Sequence, residues 1–195
     1  SYESASNFLK QFNLEIIDYE RNNIQHGSII FIAARKESSI CLTKKNQSKI
    51  NNLISEESII GLSNTHWASN FNRNIALTRT KVLDFISENK IKENSLAGYG
   101  AARSGPTIAI QYEIDKYIGV LLDDHKQKKG MYAPFKSLRV LGTENLNYKI
   151  HPITIILAYI HFKPIIKKHI NYLNDGGTFI ILWPSFKRVS YNFDP

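Results

Sequence analysis

Apolar positions follow three patterns along this chain: helical spacing, strand-like alternation and unbroken runs. In residues 4–12, Phe8, Leu9 and Phe12 recur at helical spacing behind serines suited to cap a helix start. Residues 14–19 and 28–34 predict two strands. A polar turn at Arg21, Asn22 and Asn23, then the segment 24–27, separates them. A short helix with an antiparallel hairpin buries little apolar surface, so this unit is expected to need a larger sheet to join. Residues 37–48 are polar and read as a linker. A short helix over 49–57 and a long one over 67–89 follow, with Gly61, Leu62, Ser63 and Asn64 breaking them apart. The long helix carries Phe71, Ile75, Leu77, Val82, Phe85 and Ile86 as an amphipathic stripe.

From residue 92 onward strand and helix alternate. Residues 95–99 form a short apolar strand that runs into a glycine loop, and a helix is predicted over 107–112. A second strand, 117–122, ends in Asp123 and Asp124. Beyond a lysine-rich loop lie a β-branched strand over 153–159 and a helix over 162–173, stopped by Asp175, Gly176 and Gly177. A last strand covers 178–183. Continuous apolar strands alternating with helices imply a parallel sheet covered on both faces. The expected fold is therefore α/β: a Rossmann-like, mostly parallel sheet with helices on both faces, preceded by a helix, a β-hairpin and a long helix. Three zones are expected, 1–36, 37–91 and 92–195, with Trp67 and Trp183 in the core.

Composition narrows the partners. The 195 residues are 43% hydrophobic and 22% charged, which is globular material. No apolar run reaches the roughly 18 residues of a membrane helix, and the start lacks a signal-peptide profile, so a cytoplasmic location and no membrane partner are expected. One cysteine, Cys41, excludes an internal disulfide and a multi-cysteine zinc site. The net charge of +8 favours anionic ligands, but the lysines are scattered in small groups. Without a basic stripe or an aromatic-plus-basic face, nucleic acid is not the expected partner; a phosphate-bearing small ligand is. Met131 is the only methionine, so either the initiator was removed or Ser1 is a cut inside a longer protein; the tail-like unit at the start of the chain favours the cut.

The sharpest local feature is the loop Gly98, Tyr99, Gly100, Ala101, Ala102, Arg103, Ser104, Gly105. Such a loop lets backbone N–H groups approach a ligand, and the helix behind it aims its positive end at an anion. Pro106 suits a first helical turn. Asp123 stands where dinucleotide folds put a carboxylate that accepts ribose hydroxyls, and Arg103 and Ser104 could reach phosphate or sugar. The third glycine comes too late for GxGxxG. Phosphate or sugar binding, a tight structural turn and a dinucleotide site all remain open. Tyr99 could pack or could stack on a base. His66, His125, His151 and His169 read as surface residues, and Glu56 and Glu57 as a solvated helix end.

Several segments together resemble the C-terminal domain of the S-adenosylmethionine-dependent C-methyltransferases that act on nucleotide-linked deoxysugars. Residues 96–105 (LAGYGAARSG) look like the family's glycine loop, and 120–134 (VLLDDHKQKKGMYAP) like its second-strand segment. Residues 155–162 (IILAYIHF) resemble its strand ending in a tryptophan–asparagine pair, and Gly176 to Phe179 its last glycine-led strand. The first zone, including the turn Gln25, His26, Gly27, Ser28, looks like the tail of the methyltransferase core.

The resemblance implies that the nucleotide sugar is held between this domain and a central S-adenosylmethionine domain, with a zinc-binding domain further upstream. A base would remove a proton beside a keto group, and the carbanion would attack the cofactor's methyl. That base would lie before Ser1, so no catalytic residue, metal site or cofactor is expected in this chain. The substrate contacts implied are the loop residues Gly98 to Ala101 and Arg103 to Gly105, with Asp123, Tyr159, His161 and the turn histidine His26. The chain departs from the family at Ala102, Arg103 and Ser104, where proline or alanine, alanine, then lysine is usual. It departs again at Tyr159 and Ile160, where the tryptophan–asparagine pair is expected. A non-catalytic Rossmann-like nucleotide- or sugar-binding module is the alternative.

Overall fold

In a computed structural model, residues 1–24, 27–62, 64 and 66–191 are described. The chain divides into two compact units, Ser1–Asn72 and Arg73–Pro195.

The first unit is built around a hairpin. Helix α1 (Tyr2–Lys10) is capped by Ser1, whose side chain accepts from the Ser4 amide. Strands β1 (Leu14–Asn22) and β2 (Ser28–Arg35) pair antiparallel, with a bulge between Ile16 and Asp18. Helix α2 (Lys44–Ile60) begins within the expected linker. The Thr43 side chain caps it by accepting from the Asn46 amide, and Gly61 ends it in a left-handed turn, φ 78°. The polar first turn disguised this start. Ile16, Tyr19, Ile50 and Leu53 form the buried core of the unit.

The second unit is a sheet with both faces covered. Helix α3 (His66–Glu88) leads into it, giving Ile75, Val82, Phe85 and Ile86 to its core. Strands β3 (Leu96–Tyr99), β4 (Ile118–Asp123), β5 (Val140–Gly142), β6 (Ile153–Ile156), β7 (Thr178–Ile181) and β8 (Lys187–Val189) lie in the order β5-β4-β3-β6-β7-β8. All neighbouring pairs are parallel except β7–β8. The expected mostly parallel α/β sheet is present. Helix α3 and helix α4 (Ser104–Gln111) pack with Leu121, Ile155 and Ile180 on one face. Helices α5 (Phe162–Lys168) and α6 (Ile170–Asn174) pack with Tyr99, Leu122, Ile156 and Phe179 on the other.

Three expectations need correction. The strand expected over 153–159 stops at Ile156, because the Leu157 and Ala158 amides turn to the Tyr99 carbonyl oxygen at 2.8 and 3.1 Å. The helix expected over 162–173 breaks at His169, with φ −111° and ψ 35°. Trp67 and Trp183 are 43% and 37% exposed and do not belong to the core.

Candidate functional site

The strand order fixes where a ligand can enter. From β3 the chain winds outward to β4 and β5, then crosses back to pair β6 with β3. Loops at the carboxyl ends of β3 and β6 therefore leave in opposite directions and open a crevice, the usual ligand position in open α/β sheets.

Gly98 and Gly100 are glycine for packing reasons. A Cβ on Gly98 would stand 2.8 Å from both the Leu121 and Leu157 methyl groups. Gly100 has φ 104°, and its Cβ would lie 2.5 Å from the Ala158 Cβ and 2.9 Å from the Ala158 nitrogen. Only glycine fits a backbone crossing that close. Gly105 carries no such demand, its Cβ meeting nothing nearer than 3.5 Å.

The strand-end carboxylate is turned inward. Asp123 Oδ2 accepts from the Ala101 amide at 2.8 Å and from Lys128 Nζ at 3.1 Å, while Oδ1 accepts from the His125 amide at 2.8 Å. Lys128 also donates to the Ala101 carbonyl at 3.1 Å. The Asp123 side chain is only 10% exposed. Asp123 and Lys128 thus staple the glycine loop to the segment after β4, and the Ala101 N–H is already spent on that staple.

Beside it, Tyr99 is 2% exposed, too deep to stack on a base. Its hydroxyl donates to Asp124 Oδ2 at 2.8 Å and lies 2.8 Å from His169 Nε2. One hydroxyl proton cannot serve both, so His169 donates its Nε2–H to the Tyr99 oxygen. Asp124 Oδ1 accepts from Thr143 at 2.8 Å and from Lys168. Burial, then the bond to Asp124, pushes the Tyr99 hydroxyl well above its ordinary pKa of 10.0. Partial burial works to raise the Asp124 carboxyl, but hydrogen bonds from Lys168, Thr143 and Tyr99 outweigh it and hold the carboxyl below 3.8. Desolvation, aided by the Lys168 charge, holds His169 below 6.5. His169 is therefore no surface residue. It is half-buried, at the break between α5 and α6, and it links helix to strand.

Two recesses flank these loops. The larger, about 580 Å³, opens past the ends of β3, β4 and β6; Tyr99, Asp124, His125, Lys128, His161 and Lys168 are among its lining. The smaller, about 210 Å³, is almost wholly apolar and lies against Leu121 and Val140 on the other face of the sheet. Gly100, Ala102 and Lys128 line both.

The structure brings Tyr99, Gly100, Asp123 and His161 to the larger recess, and Gly100, Ala101 and Gly105 to the smaller. Arg103, exposed at the start of α4, and Ser104 line neither; Gly98 is buried beneath. Tyr159 sits in a 3₁₀ turn with its ring edge-on to Trp183, 6.4 Å between centroids. His26 lies outside the described residues. Sequence reasoning missed Lys128, Lys168, His169 and Thr143. Asp124 could have been found by register, since β3 and β4 are parallel neighbours with Tyr99 opposite Leu122. Lys168 and His169 carried no signal beyond lying one helix past β6.

These features define a Rossmann-like α/β domain with a recess at the topological switch point. The chain belongs to the C-methyltransferase C-terminal domain family, whose family model matches residues 23–184. No curated protein matches the chain.

Proposed function

We propose that the chain is the substrate-holding part of an S-adenosylmethionine-dependent C-methyltransferase acting on a nucleotide-linked keto-deoxysugar. The observation that carries this reading is the larger recess at the switch point, where Lys128, Lys168, His125 and His161 converge. Lys128 and Lys168 are each paired with a carboxylate, yet 39% and 54% exposed, so an arriving diphosphate can share their ammonium protons without full desolvation. Asp124, Thr143, Tyr99 and His169 hold Lys168 at the rim. Their work is to bind and orient; the proton beside the keto group would be taken by a residue outside this chain.

S-adenosylmethionine would supply the methyl group. The residues here do not suit it, because the strand-end carboxylate that could take its ribose is tied to Ala101, His125 and Lys128. The methyl donor would be held by another part of the enzyme.

The test is calorimetric titration of the chain with thymidine diphosphate and, separately, S-adenosylmethionine. Weak binding of the first, reduced about tenfold by Lys168→Ala and by added salt, and none of the second, is expected. Binding of S-adenosylmethionine alone would sink the reading.

A further inference from the structure

A further recess, about 560 Å³, lies away from the glycine loop, on the face of the sheet covered by α5 and α6. Residues 146–149, which lead from β5 toward β6, line one side of it; Lys168, His169, Asn171 and Asp175 line the other. Its lining is mainly polar. Several of the groups there are uncommitted. Asn147 Oδ1 accepts from the Lys149 amide at 2.9 Å, which turns the two N–H bonds of the side-chain amide the other way. The Lys149 ammonium stands 6.0 Å from the Tyr148 ring centroid. Among the described residues, Lys149 meets no carboxylate at ion-pair distance, and Asp175 meets no cation. Opposite charges thus line one recess without pairing, and room for a ligand remains between them.

The lining decides what kind of ligand suits it. Lys149 and Lys168 call for an anion, whereas Asp175 and Asn171 call for hydroxyl donors. Bare phosphate would satisfy the lysines, leave Asp175 facing a like charge and fill little of the volume. A neutral sugar would leave both ammonium groups unanswered. A monosaccharide carrying one phosphate meets both demands, and the volume lies in the range of small-molecule sites. Lys168 also lines the larger cleft, where it is paired with Asp124, so the two recesses share one cation. We infer that this recess binds a sugar phosphate at a site separate from the cleft, with its phosphate on Lys149 and Lys168 and its hydroxyls on Asp175 and Asn171. Through Lys168, its occupancy weakens anion binding in the cleft, and the weakening is reciprocal. The coupling rests on the cleft being the phosphate and sugar site; the second site does not.

Calorimetric titration with glucose 1-phosphate, inorganic phosphate and thymidine diphosphate tests it, in the native chain, in Lys149→Ala and in His125→Ala. Lys149 lines only this recess and His125 only the cleft; both are exposed, and circular dichroism checks the fold. Glucose 1-phosphate is expected to bind several-fold tighter than inorganic phosphate and to lose about tenfold in Lys149→Ala. Thymidine diphosphate binding should be unchanged in Lys149→Ala, and glucose 1-phosphate binding unchanged in His125→Ala. Saturation with either ligand should weaken the other about threefold. Glucose 1-phosphate binding that falls in His125→Ala and not in Lys149→Ala puts the ligand in the cleft and overturns the second site. Equal binding of glucose 1-phosphate and inorganic phosphate overturns the sugar assignment, and independent titration of the two sites overturns the coupling. Thymidine diphosphate binding with none of glucose 1-phosphate sinks the second site and leaves the cleft standing. Lys149-dependent glucose 1-phosphate binding without thymidine diphosphate binding upholds the second site and sinks the cleft.

Discussion

The two units solve the same problem with unequal means. Residues 1–72 cover one face of a two-stranded hairpin, and their buried apolar core is Ile16, Tyr19, Ile50 and Leu53. Phe8, Phe12, Ile30 and Ile59 stay at least half exposed. In residues 73–195 both faces of a six-stranded sheet are covered, and Leu122, Ile156, Phe179 and Ile180 are 0% exposed. A hairpin with one helix layer has few positions that water cannot reach, whereas each central strand of a covered sheet buries nearly every side chain. The first unit compensates with polar ties. Lys49 pairs with Asp18, donates to the Tyr19 carbonyl and sits 4.6 Å from the Tyr19 ring centroid; Glu57 accepts from the Tyr2 amide. Ties of this kind, open to water, are screened and stabilise little each. The lesson is that the second unit can carry a close-packed loop, and the first has little margin for any loss.

The largest expected effect tests the first half of that statement. Gly100→Val would force a β-branched residue into a positive φ and drive its Cβ into the Ala158 backbone. A loss of at least about 3 kcal/mol is expected, read as lost hydrogen-exchange protection in β3 and β6. The substitution is thus a fold variant, unsuited as a clean binding control. A change below about 1 kcal/mol would show that the loop relaxes easily and that its tightness is not built in.

Next in size, Ile50→Ala removes a 1% exposed side chain from the four-residue core of the first unit. A loss of about 2–4 kcal/mol is expected, close to what such a small core supplies, so protection in β1 and β2 should collapse. Retained protection there would mean that the polar ties, not the core, hold the hairpin.

How much of this contrast could be read from the sequence follows from the same physics. The runs at Ile153 and Thr178 announced themselves because strands covered on both faces need unbroken apolar residues. β5 and β8 were silent, being three residues each at the sheet edges; β8 opens with Lys187 and Arg188, charges that blunt an edge. The glycine loop was visible, but not that Asp123 would close it from within. Tyr99, Asp124 and His169 meet across separations of 25 and 70 residues, and only the register of β3 on β4 and the break in α5 bring them together. Glycine spacing reports backbone shape, whereas charge placement over the loop depends on packing that no local pattern encodes.

The smallest effect concerns that polar group, and it limits how far the dense unit is purely apolar. Tyr99→Phe keeps the buried ring and removes the hydroxyl between Asp124 and His169, leaving both without that partner; a loss of about 1–2 kcal/mol is expected. The pH dependence has a definite sign. His169 is held below its ordinary value of 6.5, chiefly by desolvation, so the unfolded chain binds the proton more readily than the folded one. Its contribution is complete above pH 6.5 and is lost as pH falls from there toward the folded value, so stability drops on acidification. His151, also held low by desolvation, acts in the same direction. Asp124, held below 3.8, adds a further loss only in stronger acid. Urea titrations at a series of pH values should therefore show a slope just below pH 6.5 that His169→Gln reduces and does not abolish. An unchanged slope in His169→Gln would mean that the imidazole reaches water freely, leaving the Tyr99 hydroxyl as the only buried element of the network.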